Sequence, residues 1–312
     1  MIQVSNLTKQ YDGHTAVDHL SFTMESGQIH GFLGPNGAGK STTMNMITGC
    51  LAPTSGDVWL DGVNVFDEPE KVKGKIGYLP EIPPVYPEMT PREYLQFVAG
   101  LKGICRKEIP AAVEKAMAAT HITSMADRLI GNLSKGYKQR VGISQAILGD
   151  PEIVILDEPT VGLDPRQILQ IRALIKELGQ HHTVILSSHI LGEIQAVCDH
   201  ITIIAHGKLI ACDSKASLEQ QYAKNKLTLS CKADRAAVTQ ILAPLFPADT
   251  LTFEEENDYL TVLADCGTAE DIPEQVFAAF SAAGIPLHKL AMREGSLEDL
   301  FLQLTKEGGA KV

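Results

Sequence analysis

No stretch of this 312-residue chain approaches the roughly 20 consecutive apolar residues that a membrane-spanning helix requires. Met1-Ile2-Gln3-Val4 runs straight into a strand-like pattern, without the basic n-region and apolar h-region of a secretory signal. The expectation is a cytoplasmic chain with no direct membrane insertion, so that any membrane role runs through a partner. Basic charge is short as well: 27 Lys and Arg against 38 Asp and Glu leave a net charge of −11. That balance speaks against wholesale nucleic-acid binding, which draws on a basic face. The six cysteines (Cys50, Cys105, Cys198, Cys212, Cys231 and Cys266) never fall at metal-ligand or redox spacing and read as reduced thiols. The ten histidines form no ligand cluster, and His181-His182, ahead of a strand, reads as a solvated turn. There is no internal repeat, low-complexity segment or long coiled-coil insertion. What remains is an ordinary globular composition, 44% hydrophobic and 21% charged, long enough for one large domain and a smaller one.

Up to about residue 215 the sequence alternates strands and helices, the pattern of an α/β layered domain. Strands are expected at Ile2–Leu7, Gln28–Leu33, Gly56–Leu60, Ile76–Leu79, Ile153–Asp157, Thr183–Ser187 and Ile201–Ala205. Several are continuous β-branched runs, suited to burial on both faces. Helices are expected at Lys40–Thr48, Pro91–Leu101, Pro110–Thr120, Lys135–Ile147, Arg166–Leu178 and Ile190–Val197. Asp213 to Ser217 and a polar helical stretch to Lys226 mark a junction. Beyond it come strand Leu227–Cys231, helix Arg235–Leu242, strands Thr250–Phe253 and Tyr259–Ala264, helix Pro273–Ala283, strand Leu287–Met292 and a closing helix, Ser296–Thr305. That βαββαβ order is the split-βαβ, ferredoxin-like arrangement.

Gly34-Pro35-Asn36-Gly37-Ala38-Gly39-Lys40-Ser41-Thr42 fits the phosphate-loop pattern, and it stands between an expected strand and an expected helix. Glycines let backbone N–H groups turn inward around a phosphate where side chains would collide. The helix N-terminus adds partial positive charge. The pattern gives Lys40 the β- and γ-phosphates of ATP and Ser41 a Mg²⁺ ion. A second anchor for Mg²⁺ stands at Asp157, which ends the apolar run Ile153–Leu156. Glu158 follows at once, and two adjacent carboxylates repel unless their roles differ. Asp157 is therefore assigned to Mg²⁺ through water, and Glu158 to orienting and deprotonating the attacking water.

With Leu133-Ser134-Lys135-Gly136-Tyr137-Lys138-Gln139-Arg140, Asp157-Glu158-Pro159 and Val161-Gly162-Leu163-Asp164-Pro165, the chain resembles the ATP-binding-cassette (ABC) ATPases over about residues 2 to 215. The resemblance implies the fold class: an α/β P-loop NTPase of ABC type, with an antiparallel β subdomain and a helical subdomain, plus a small C-terminal α+β domain. The expected domains are 1–217, with the helical subdomain at about 90–150, and 218–312. It also implies roles. Tyr11, after the first strand, stacks on adenine; Ser134 and the Gly136 backbone reach the γ-phosphate held by a partner copy; Asp164 crosses the same interface; His189 contacts the γ-phosphate. Lys135 and Tyr137 depart from the family's usual Leu-Ser-Gly-Gly-Gln, and Glu81, a catalytic candidate that can accept from the nucleophilic water, stands where the family usually has a Gln linking Mg²⁺ to the transmembrane partner. The same departures resemble the single-cassette ATPases of type-2 exporters.

That branch implies an ATP-hydrolysing subunit that pairs as a homodimer or with a second ATPase subunit and drives a separate multi-span membrane permease. Its place is the cytoplasmic face of the cell membrane, held there peripherally. Pro83 to Thr90 is expected to receive the permease. A soluble cassette of translation or repair is the alternative, which calls for two cassettes, a coiled-coil insertion or a basic surface. A GTPase reading lacks the guanine-reading Asn-Lys-x-Asp pattern.

Overall fold

The computed structural model describes residues 1–222, 226–247, 250–256, 259–266, 271–293, 297–298 and 301. The chain divides into two units, one holding Met1–Lys215 and the other beginning at Ala216. In chain order the first unit contains β1 (Ile2–Tyr11), β2 (His14–Met24), β3 (Ile29–Leu33), α1 (Lys40–Ile47), β4 (Ser55–Leu60), β5 (Val63–Asn64), α2 (Pro69–Lys73) and β6 (Ile76–Leu79). Then follow α3 (Pro91–Leu101), α4 (Ile109–Ala119), α5 (Lys135–Ile147), β7 (Ile153–Asp157), α6 (Pro165–Leu178), β8 (Thr183–Ser188), α7 (Leu191–Val197), β9 (His200–Ala205) and β10 (Lys208–Ser214). α8 (Lys215–Tyr222) covers the expected junction.

Two sheets organise this unit. One is antiparallel, in the order β2-β1-β4-β5; the other has six strands in the order β10-β9-β3-β8-β7-β6, parallel except for the edge strand β10. β3, β7 and β8 are buried at every residue. The Ile, Val and Leu runs of β7 and β8 suit strands covered on both faces, where no position looks at water, while β3 buries His30 with its Nε2 2.7 Å from the Glu25 carbonyl oxygen. Register brings their carboxyl ends level: Leu33 stands beside Ser188, Asp157 beside Ser187, and Leu79 beside Leu156. The segments leaving these strands therefore share one edge, the edge at which open α/β sheets take ligands.

Three strands of this unit escape the sequence pattern, one of them the two-residue β5. In β2 the buried residues are Val17, Leu20, Phe22 and Met24. His19 sits at φ +52, where the register with β1 shifts. One extra residue between Val17 and Leu20 breaks the period-two alternation that a strand reading relies on. β10 is an edge strand whose residues are all exposed or half-buried, and its short apolar stretch, Leu209 to Cys212, shows no period-two alternation. β1 also runs further than expected and ends at Tyr11, so that Tyr11 closes the strand instead of following it. His182, expected in a solvated turn, is buried, with Nδ1 2.7 Å from the Pro151 carbonyl oxygen.

Close packing of α5 on β6 depends on Gly77. A Cβ added there would lie 2.1 Å from the Ala146 carbonyl oxygen, which belongs to the backbone of α5. Gly77→Ala is expected to destabilise the protein by about 1–3 kcal/mol through overpacking. An unchanged urea midpoint would contradict this close approach.

The second unit contains β11 (Lys226–Cys231), α9 (Arg235–Leu242), β12 (Leu251–Glu256), β13 (Tyr259–Asp265), α10 (Ile272–Ala282) and β14 (Leu287–Arg293). Its sheet is antiparallel in the order β12-β13-β11-β14, the ferredoxin-like arrangement. Leu227, Leu229 and Cys231 alternate inward on β11 and meet Val238 and Leu242 of α9 and Val276 and Phe280 of α10 in a core of its own. The expected closing helix, Ser296–Thr305, falls largely outside the described residues. Among the described residues no helix is long and apolar enough to cross a membrane.

Candidate active site

The loop Gly34 to Gly39 joins the end of β3 to the start of α1. Gly39 is the N-cap of α1 at φ +98, and a Cβ there would meet the Ala16 carbonyl oxygen at 2.5 Å. Backbone conformation and space both call for glycine. No side chain caps α1, whereas Thr90, Ser134 and Asp164 cap α3, α5 and α6. The first-turn N–H groups of α1 and the positive end of its dipole thus suit an anion. Lys40 opens the helix with its side chain folded along the loop. Its Nζ donates to the carbonyl oxygens of Gly34 (2.9 Å) and Pro35 (3.2 Å) and lies 3.2 Å from Glu158 Oε1.

Glu158 lies just past β7 at φ +48, a left-handed conformation that costs a non-glycine residue about 1–3 kcal/mol. The turn parts the two neighbouring carboxylates. Asp157 points to Ser187, whose hydroxyl donates to Asp157 Oδ1 and accepts the Glu158 N–H at 3.0 Å. The Glu158 side chain points instead to Lys40 and to His189, whose Nδ1 is 2.8 Å from Oε2. Lys40 and Glu158 are buried, and His189 is one-third exposed. Tyr78 of β6 borders this region: burial, with the nearby Asp157 charge, pushes its phenol well above the usual range, and its hydroxyl lies 3.2 Å from Asn45 Oδ1.

A cleft of about 720 Å³ gathers Tyr11, Asn36, Gly37, Gly39, Lys40, Ser41, Thr42, Glu81, Glu158 and His189. Asp157 is buried at the end of β7, and Ala38 is buried within the loop. His14 and Ala16, which the sequence did not mark, line the same cleft, as does Val161. His14 faces Tyr11 across the β1–β2 pair, so missing β2 meant missing His14. Ser134 and Gly136 are elsewhere. They line a separate pocket of about 260 Å³ with Tyr137, Arg140, Gln167 and Gln170. The Ser134 side chain accepts the Tyr137 N–H at 3.4 Å, and exposed Asp164 accepts the Gln167 N–H at 2.9 Å. Two glycines draw these segments together. A Cβ on Gly162 would lie 2.1 Å from Lys135 Nζ, and one on Gly136 would lie 2.8 Å from the Gln167 carboxamide carbon.

A buried strand, a glycine loop opening a helix on lysine, and a neighbouring strand ending in paired carboxylates define a P-loop nucleoside triphosphatase. The family model described as ABC transporter matches residues 17–161. The chain is 36% identical to the bacitracin transport ATP-binding protein BcrA of Bacillus licheniformis, over 99% of this chain and 98% of that one. It is 34% identical to the linearmycin resistance ATP-binding protein LnrL of Bacillus subtilis, over 98% of each. Both matches take in the second unit. Among solved structures, an ATP-binding subunit of an ABC transporter matches with a TM-score of 0.63 at 30% identity, over 71% of this chain and 93% of that one. A dimeric post-hydrolysis state of an ATP-binding cassette, bound to ADP and Pi, matches with a TM-score of 0.63 at 25% identity, over 69% and 98%. The chain belongs to the ABC transporter family, as one of its ATP-binding proteins, and it binds and hydrolyses ATP.

Proposed function

We propose that this chain is the ATPase subunit of a type-2 exporter: it dimerises on ATP, with a second copy or a paired ATPase subunit, and drives a separate multi-span permease. The observation that carries the reading is the division of the site. The phosphate loop, Tyr11, Glu81, Glu158 and His189 share one cleft, while Ser134 and Gly136 stand in another pocket of the same chain. A complete site of cassette type then takes its second half from another chain. Antibiotics are the favoured cargo class, because two full-length relatives are named for bacitracin transport and linearmycin resistance.

Within such a site Tyr11 stacks on the base, the loop Gly34 to Thr42 surrounds the phosphates, and Lys40 bridges the β- and γ-phosphates. Glu158 takes a proton from the attacking water, and His189 holds the γ-phosphate and orients Glu158. Ser134 and Gly136 of the partner chain close on the γ-phosphate, and Asp164 crosses the interface. The Ser41 hydroxyl and the Asp157 carboxylate are hard oxygen donors of the kind Mg²⁺ takes, and they are the residues that would hold it. When bound, Mg²⁺ neutralises phosphate charge during in-line attack.

Glu81 lines the cleft, and the next residue, Ile82, is 81% exposed. Nearby Tyr86, 45% exposed, packs edge-on against Tyr94 and Phe97 with ring centroids 6.1 and 5.9 Å apart. This apolar rim next to a nucleotide-facing carboxylate suits the permease contact, and it would hold the chain peripherally at the cytoplasmic face. Co-expression with any multi-span membrane protein encoded beside it tests the reading. The native chain should co-purify with that protein and Ile82→Glu should not. Absence of any membrane partner would favour a stand-alone ATPase.

A further inference from the structure

We infer that Glu193 is a positioning residue for ATP hydrolysis, holding the Glu158 and His189 segments in register; the inference rests on the roles proposed above for those two residues. Glu193 lies in the first turn of α7 and is 4% exposed. One oxygen, Oε2, accepts hydrogen bonds from Thr160 Oγ1 at 2.5 Å and from Ser188 Oγ at 2.9 Å. Thr160 stands two residues after Glu158, and Ser188 directly precedes His189. Ser188 Oγ also accepts the Ile190 N–H at 3.0 Å, so both sides of His189 are tied to the same group.

A buried carboxylate is costly, and the groups that satisfy this one are hydroxyls with no formal charge. An apolar residue of similar size would pack there with less desolvation. What the carboxylate supplies is geometry: two donors converging on one oxygen fix the rotamers of Thr160 and Ser188 together. Ser187 makes the matching link on the other side, through Asp157 and the Glu158 N–H. The Glu158–His189 contact is thus bracketed by two struts between the same pair of segments. Glu158 needs such bracing, because its left-handed backbone persists only where the surroundings over-determine it. Glu193 touches neither nucleotide nor water in this scheme; it acts through the residues that do.

The test measures steady-state ATP hydrolysis by the full-length chain, with Glu158→Gln in the same assay. Glu193→Ala is expected to lower kcat by about tenfold to hundredfold, as small misplacements of a reacting group do, with KM for ATP within about twofold. Glu193→Gln should recover most of the rate, because its amide oxygen can accept both hydroxyls. Thr160→Val should lower kcat as well, and combining it with Glu193→Ala should cost less than the product of the two losses. Circular dichroism establishes that each variant is folded; should Glu193→Ala fail to fold, Thr160→Val against Glu193→Gln carries the comparison. Native kcat in folded Glu193→Ala and Thr160→Val overturns the inference, as does a loss confined to KM. If Glu158→Gln turns over at the native rate, the general-base reading fails first. If Glu158→Gln is inactive while Glu193→Ala is unaffected, the base stands and Glu193 is merely structural.

Discussion

Glu158→Gln is expected to bind ATP as the native chain does, to hydrolyse it about 10²–10⁴-fold more slowly, and to accumulate as a dimer while ATP is present. The substitution keeps the shape of a side chain that is 6% exposed and removes its negative charge and its capacity to take a proton. An amide oxygen still accepts from Lys40, so the phosphate loop keeps its neighbour. Turnover alone is lost, and with it the event proposed to reopen the pair. Size-exclusion chromatography with ATP and Mg²⁺ reads the dimer, and phosphate release reads the rate. A monomer carrying ATP under those conditions would sink the two-chain site, and native turnover would remove the base assignment.

Lys40→Ala should fail one step earlier, at binding. A charge-assisted hydrogen bond to phosphate is worth about 1.5–3 kcal/mol, which corresponds to a loss of affinity of roughly tenfold to 150-fold. Losing the ammonium also leaves buried Glu158 without its cationic partner, with the His189 ring as its remaining side-chain neighbour, and strips a donor from the carbonyls of Gly34 and Pro35. A lower thermal midpoint should accompany the weaker binding. Titration calorimetry with ATP separates this variant from Glu158→Gln: the first loses affinity and the second keeps it. Unchanged affinity in Lys40→Ala would remove the phosphate-loop assignment.

Much of this arrangement could be read from sequence where the determining residues are neighbours in the chain. Gly34 to Thr42 is one unbroken segment, and its glycines state a backbone requirement wherever they occur. The buried strands β7 and β8 were legible because burial on both faces leaves continuous apolar runs. β2 was not, because the bulge at His19 sets Val17 and Leu20 three residues apart. His14 vanished with it. Glu193 left no trace at all: an isolated glutamate in a helix reads as a solvated face until the fold buries it beside Thr160 and Ser188. The division of the site between two pockets was likewise invisible as geometry, because Ser134 and Lys40 belong to segments whose separation only packing decides.

Lys135 looked in the sequence like a blemish on a familiar signature, a long charged side chain where glycine is usual. In the fold it reaches back to Gly162, on the stretch of chain that begins at Glu158, and Gln167 leans on Gly136 from the helix that Asp164 opens. The strip each molecule would lend to its companion therefore rests on the segment that leads away from its own Glu158. If the proposed pair forms, a shift at Glu158 would reach, through Gly162 and the Lys135 ammonium, the face offered to the neighbour.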